Sequence, residues 1–172
     1  MTAQAPLDLV IDTNERDVEI QPGISGTKIV LFGATPSGKR DIIIEVVGPP
    51  KNQTMQEKRR YFGFWLGRGK SYYKNVPSYY NLLSSKPLEE ITNQEGLNKL
   101  GLGIEHLPLG KADIKYSSIK QFQFDKRLRS EMFEDGQFLE NEENIVLRSG
   151  PGKVGLFKTE FSLPPNSLQG KY

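Results

Sequence analysis

The sequence predicts a mainly β chain with a helical insertion, and three observations lead there. Short runs rich in Val, Ile and Phe recur towards both ends, as in Lys28–Phe32, Asp41–Val47 and Val154–Leu163. Breaks made of Gly and Pro separate them, at Pro22-Gly23, Gly48-Pro49-Pro50 and Gly150-Pro151-Gly152. Between them, from about Val76 to Asn141, the apolar residues take up helical spacing. At 172 residues the chain is long enough for one domain with a real core. It is read as a single β-sandwich domain over 1–172, with the insertion inside it.

Composition narrows the chemistry. With 23 Lys plus Arg against 21 Asp plus Glu, the net charge of +2 points to no particular polyanionic partner. There is no cysteine, which excludes disulfides, thiolate catalysis and Cys-based zinc sites. No apolar run approaches the roughly 20 residues of a membrane helix. The start, MTAQAPLDLV, lacks the basic and apolar regions of a signal peptide.

Taken in order, Leu7–Ile11 alternates and is the first expected strand, and Val18–Ile20 the second. Lys28–Phe32 and Asp41–Val47 are read as a central hairpin about a Pro-Ser-Gly turn. Ile42, Ile44 and Val46 point one way, Ile43 and Val47 the other. Both faces should then be covered, the second by the insertion. The turn itself, Gly33-Ala-Thr-Pro-Ser-Gly38-Lys39, carries the glycines and lysine of a phosphate loop. Arg40 stands where that loop needs Ser or Thr, and a strand follows where it needs a helix. Pro36 and Gly38 suit a type I turn instead.

Thr54–Leu66 is expected to be extended, and Glu57–Lys74 (EKRRYFGFWLGRGKSYYK) is the chemically richest stretch. It interleaves six basic residues with six aromatic ones, and Arg60–Phe64 partly overlaps the aromatic strand signature of RNA-recognition and cold-shock modules. The overlap is incomplete, since Tyr61 and Gly67 occupy the wrong positions. The plainer reading is a hairpin turning at Gly67-Arg68-Gly69, with rings in the core and cations outside. Candidate partner-binding residues here are Arg59, Arg60, Trp65 and Arg68.

The insertion opens with Ser78–Ser85, read as a short helix from the spacing of Tyr79, Leu82 and Leu83. Thr92 and Glu95 suggest a capping box for a helix running to Leu100 and stopping at Gly101, with Leu97 and Leu100 on one face. Asp113–Phe133 reads as helical in two pieces, broken near Gln123–Asp125, with stripes Ile119/Phe122 and Phe124/Leu128/Met132. The only histidine, His106, has no second histidine or nucleophile near it in sequence and is assigned a structural role. Glu89 and Glu90 could be imagined as catalytic carboxylates, but they suit an exposed helix equally well. The acidic run Glu131–Glu143 does not follow a calcium-loop pattern and is read as a solvated helix end and loop. No metal site and no cofactor are expected.

Strands resume at Asn144–Leu147 and Val154–Leu163. The ending, LPPNSLQGKY, resembles the corner before a late strand of an immunoglobulin-like sandwich, where a tyrosine latches the turn. The fold class is therefore an immunoglobulin-like β-sandwich with a helical insertion, its last strand or strands missing.

Several segments together resemble one family, the alphaproteobacterial putative transmembrane proteins, over essentially the whole chain. They are LDLVID, LFGA with IIIEVVGP, EKRR before GFW, VPSYYNLLSSKPLEEI, GLNKLGLGIEHL and LFKTEFSLPPNSLQGKY. The resemblance implies a signal peptide, an extracytoplasmic β-rich domain and one C-terminal membrane helix, the first and last of which this sequence does not show. The chain is accordingly expected to be truncated at both ends. The resemblance also implies the periplasmic face of the inner membrane and an envelope or membrane protein as partner, with sulfite-exporter-type proteins often encoded nearby. It supplies no catalytic residues. The functional expectation is a non-enzymatic periplasmic domain mediating protein contacts and supporting a transporter. The alternative is a nucleic-acid-binding module using the basic aromatic hairpin 57–74.

Overall fold

A computed structural model describes residues 9–15, 26–35, 40–110, 112–115 and 120–172, without the side chains of 57–61, 65–68 and 153. The expected strand Val18–Ile20, the turn at Pro36–Lys39, and Ile119 lie outside the described residues. What is described is mainly β, with three sheets and three α-helices among the described residues.

The first sheet has the order β1-β2-β10-β9, from β1 (Val10–Thr13), β2 (Thr27–Thr35), β9 (Val146–Ser149) and β10 (Gly155–Leu163). The second, β3-β6-β8, joins β3 (Ile43–Val47), β6 (Tyr80–Ser84) and β8 (Phe138–Asn141). The third, β4-β5-β7, joins β4 (Pro50–Tyr61), β5 (Phe64–Pro77) and β7 (Asp113–Lys115). The helices are α1 (Leu88–Ile91), α2 (Gln94–Leu100) and α3 (Gln121–Glu134). Three sheets take the place of the two that an immunoglobulin-like sandwich would have.

The expected central hairpin does not form. β2 pairs antiparallel with β1 and β10, while β3 belongs to the sheet of β6 and β8. All nine residues of β10 find partners along β2, from Gly155 opposite Thr35 to Leu163 opposite Thr27. The five-residue β3 could not offer so long a ladder. The second face of this region is covered only in part. Along β3 the side chains of Ile44 and Val46 are buried, but Val47 is 41% exposed and Ile43 only half-buried.

The chain divides into two compact units. The first comprises Met1–Glu45, Leu82–Gly96 and Glu140–Ser167. Its four-stranded sheet turns Ile29, Leu31, Phe157, Thr159 and Leu163 inward, the period-2 alternation of a sheet with one buried face. A backbone pair fixes one end of β3 in the same unit: Ser85 N–H donates to the Ile42 carbonyl at 3.0 Å. The Glu142 carboxylate accepts from the Leu88 N–H at 3.2 Å, so one orphan donor of α1 is satisfied by this acidic side chain.

The second unit comprises Val46–Asn81, Leu97–Leu139 and Leu168–Tyr172. α3 runs unbroken through Gln123–Asp125, and Phe124, Leu128 and Met132 are all buried, as their spacing by four requires. Phe122, on the other expected stripe, is 63% exposed. Asp113–Lys115, read as helix, is the short strand β7 paired with Lys70–Tyr72. At the chain's end the Tyr172 hydroxyl donates to the Leu168 carbonyl at 2.7 Å, which is the corner latch expected of LPPNSLQGKY.

Two local readings also change. The stretch read as a helix from Ser78 is strand β6, with every residue of YNLLS buried. A short apolar run does not declare its period, and full burial suits a central strand as well as a helix. α2 starts and stops as expected, at Gln94 and before Gly101 with its φ of +70°. Its cap is Asn93, whose Oδ1 accepts the Gly96 N–H at 2.9 Å, in place of Thr92. Leu97 is buried but Leu100 is 66% exposed.

Candidate interaction surfaces

The outer face of the four-stranded sheet is built from residues far apart in sequence. Register places Val10, Ala34, Leu156 and Arg148 in one row across the four strands. The next row holds Asp12, Phe32, Lys158 and Val146. Opposed residues share a face, so these eight form one surface. Four of them are large apolar residues in the open: Val10 at 60%, Val146 at 55%, Phe32 at 44% and Leu156 at 43%. A depression of about 600 Å³ along β9 and β10 is lined by Glu143, Val146, Arg148, Leu156, Lys158 and Glu160, and also by the inward-facing Phe157 and Thr159. Glu143 has a φ of +56°, the left-handed region that costs a non-glycine residue. Glu160 accepts an ion pair from Lys28 at 2.8 Å, and its carboxyl is held below the usual range mainly by that contact. Exposed apolar residues interleaved with charges of both signs suit a protein surface better than a polyanion.

The second surface is the β4–β5 hairpin, where the sequence placed its candidate residues. The turn is Phe62-Gly63, with φ of +43° and +88°, and not Gly67-Arg68-Gly69. Two consecutive positive φ values match the right-handed twist of a two-residue hairpin, and the glycine at 63 takes the second at no steric cost. Gly67 and Gly69 lie within β5 opposite Lys58 and Glu57, and Arg68 is the residue skipped at a bulge between them. Arg60 is opposite Trp65 and Arg59 opposite Leu66 in the ladder, so the backbone brings three of the four candidates within two registers. The side chains of Arg59, Arg60, Trp65 and Arg68 lie outside the described residues. The two described rings at the tip do not enter a core: Phe62 is 97% exposed and Phe64 74%.

Elsewhere in the second unit several polar side chains tie elements together. Tyr73 Oη donates to Asp125 Oδ1 at 2.5 Å, and burial first, then this carboxylate, hold its proton well above the usual phenol range. Arg129, one turn along α3, donates from Nε to the Ile104 carbonyl at 2.7 Å and from Nη2 to the Leu107 carbonyl at 2.8 Å. Tyr80 Oη accepts the Gly103 N–H at 2.9 Å. Together they pin the 101–110 loop, which includes His106. Lys51 Nζ donates to Gln137 Oε1 at 2.5 Å, and burial lowers its pKa. In the first unit, Glu89 and Glu90 sit exposed in the first turn of α1. No group of three or more His, Asp or Glu side chains positioned to hold a metal occurs among the described residues.

Sequence reasoning did not find the outer sheet face, because Val10 and Phe32 meet Val146 and Leu156 only through the β2–β10 pairing, which spans more than a hundred positions. Its one local signal was the apolar Phe32 and Leu156 on the wrong phase of otherwise alternating strands.

Among the described residues no helix is long and apolar enough to cross a membrane. No curated protein and no solved structure matches the chain. A family model described as putative transmembrane protein (Alph_Pro_TM) matches residues 8–172, and the chain belongs to that family.

Proposed function

We propose that this chain is a non-enzymatic interaction domain of a membrane-anchored envelope protein, working on the periplasmic side and binding a protein partner through the outer face of its four-stranded sheet. The observation that carries this reading is the cluster Val10, Phe32, Val146 and Leu156, exposed together on that face. A sheet normally alternates apolar-in and polar-out. Four large apolar side chains on the solvent face lower solubility and contribute nothing to the inner core, so a partner that covers them explains them. Arg148, Lys158, Glu143 and Glu160 around the depression supply a polar rim of mixed sign. Membership in a family described as transmembrane supports looking for that partner at a membrane. A sulfite-exporter-type transporter is the first partner to look for.

The test is site-specific photo-crosslinking in cells with the full-length protein, placing the crosslinker at position 32 or 156, and at exposed Lys99 as control. One envelope protein trapped from 32 and 156 and not from 99 is the expected result. Adducts restricted to a second copy of the chain, or none from 32 and 156, would refute the reading.

A further inference from the structure

We infer that the tip of the β4–β5 hairpin docks into an anionic lipid bilayer, with Phe62 and Phe64 entering the interface and the basic residues behind them meeting the headgroups. Tip-ward of Lys70, the ladder has only two strands among the described residues, since β7 pairs no further than Lys70. It forms an arm. At its end Phe62 and Phe64 are 97% and 74% exposed. Phe62 also occupies the left-handed region, φ +43°, at a turn position that Asn or Gly fills without strain. A bulky side chain at an exposed turn position with a strained backbone makes the position a candidate for function.

The order of residue types along the arm identifies the surface it meets. Behind the tip come the pairs Tyr61–Phe64, Arg60–Trp65, Arg59–Leu66 and Lys58–Gly67, with Arg68 in the bulge. At roughly 3.4 Å per residue, the Arg60–Trp65 pair stands about 7 Å behind the tip and Lys58 about 14 Å. Phe62 leads at the turn, the Tyr61–Phe64 pair follows, and the cations begin one register further back, where Arg60 is level with Trp65. An apolar tip backed by aromatic and then basic positions matches acyl boundary, interface and anionic headgroups. From Glu57 to Lys70 there are five basic residues and one acidic, in contrast to the mixed rim on the sheet. A nucleic-acid platform would set its rings among the cations, where bases stack between phosphates. Here two rings lead and the cations follow.

The 172-residue chain can be floated with vesicles of equal phosphatidylglycerol and phosphatidylcholine in low salt, and with phosphatidylcholine alone. Trp65 is the single tryptophan, so its emission reports on the arm directly. Flotation with the anionic vesicles, a blue shift of Trp65 and quenching by brominated acyl chains are expected. R59Q/R60Q should weaken partition about 25-fold, at about fivefold per charge. The decisive variant is F62N. Asparagine suits this turn better than phenylalanine, so folding is retained or improved, yet partition should fall at least tenfold, and further in F62N/F64S.

No flotation at low salt would overturn the inference, as would F62N partition equal to that of the unaltered chain. Tighter binding to a single-stranded oligonucleotide that strips the chain from vesicles would overturn it in favour of nucleic acid. The F32S/L156S variant should float normally, so failure at the arm and failure at the sheet face are separable.

Discussion

Replacing Arg129 with methionine should cost about 3 kcal/mol of stability, and the figure follows from two contacts. The guanidinium donates to the carbonyls of Ile104 and Leu107, at 2.7 and 2.8 Å, and both residues are buried. A hydrogen bond from a charged donor contributes about 1.5–3 kcal/mol, and a buried carbonyl left without a partner costs about 1–3. Partial entry of water into the loop offsets some of that, which leaves a total near the low end of the two bonds combined. Methionine keeps an unbranched apolar stem and removes the donors, so the loss reports mainly on the hydrogen bonds. Lysine can reach one carbonyl at a time and should lose about half as much. With a urea slope of about 2 kcal/mol/M, R129M should lower the unfolding midpoint by about 1.5 M and R129K by about 0.7 M. Trp65 fluorescence reads the transition, since residue 65 belongs to the same unit. Hydrogen exchange should show the 101–110 amides losing protection first. A midpoint for R129M within 0.3 M of the unaltered chain would refute the argument that Arg129 pins this loop.

Three further predictions follow from particular contacts. A methyl group at Gly33 would stand 2.1 Å from the Val10 carbonyl and 2.5 Å from the Phe157 ring, and the backbone oxygen cannot rotate away. G33A should therefore destabilise by about 1–3 kcal/mol, and F157L should relieve only part of it in a double-mutant cycle by urea unfolding. Raised pKa values make the native tyrosines alkali-sensitive. Tyr73 keeps its proton when folded but loses it near pH 10 when unfolded, so its contribution is full below about pH 10 and falls as pH rises towards the folded pKa. Y73F should be less stable at pH 7 by about 1 kcal/mol, with the gap narrowing above pH 10 in denaturation titrations. A constant gap would show that the tyrosine does not titrate in this way. Finally, since the chain has no cysteine, K99C introduces a single thiol on an exposed helix. A membrane-impermeant maleimide should label it in cells whose outer membrane alone is permeabilised; labelling only after lysis would place the domain on the other side.

Some of this was legible in the residues and some was not. The stripe Phe124, Leu128, Met132 predicted a buried helix face, and α3 has one. The stop at Gly101 and the tyrosine latch at 172 were equally local. The aromatic and basic character of 57–74 marked the arm, but not its turn. Two glycines around Arg68 imitate a loop, yet the ladder absorbs Arg68 as a bulge and turns at Phe62-Gly63. β6 was missed because a five-residue apolar run fits a buried strand and a helix alike.

The sequence by itself determined several of the strands, the apolar stripe of α3, and the absence of cysteine chemistry, because backbone periodicity and side-chain inventory are local properties. It also carried the family likeness in segments spread along its length. Only the tertiary structure decided which strands pair. β2 takes β10 from more than a hundred residues away and leaves β3 to β6, because that partner completes a nine-residue ladder and buries Phe157 against the inner face. The same choice brings Val10, Phe32, Val146 and Leu156 together on the outside. No local pattern contains that surface, since it exists only once distant faces have competed for burial and one arrangement has won.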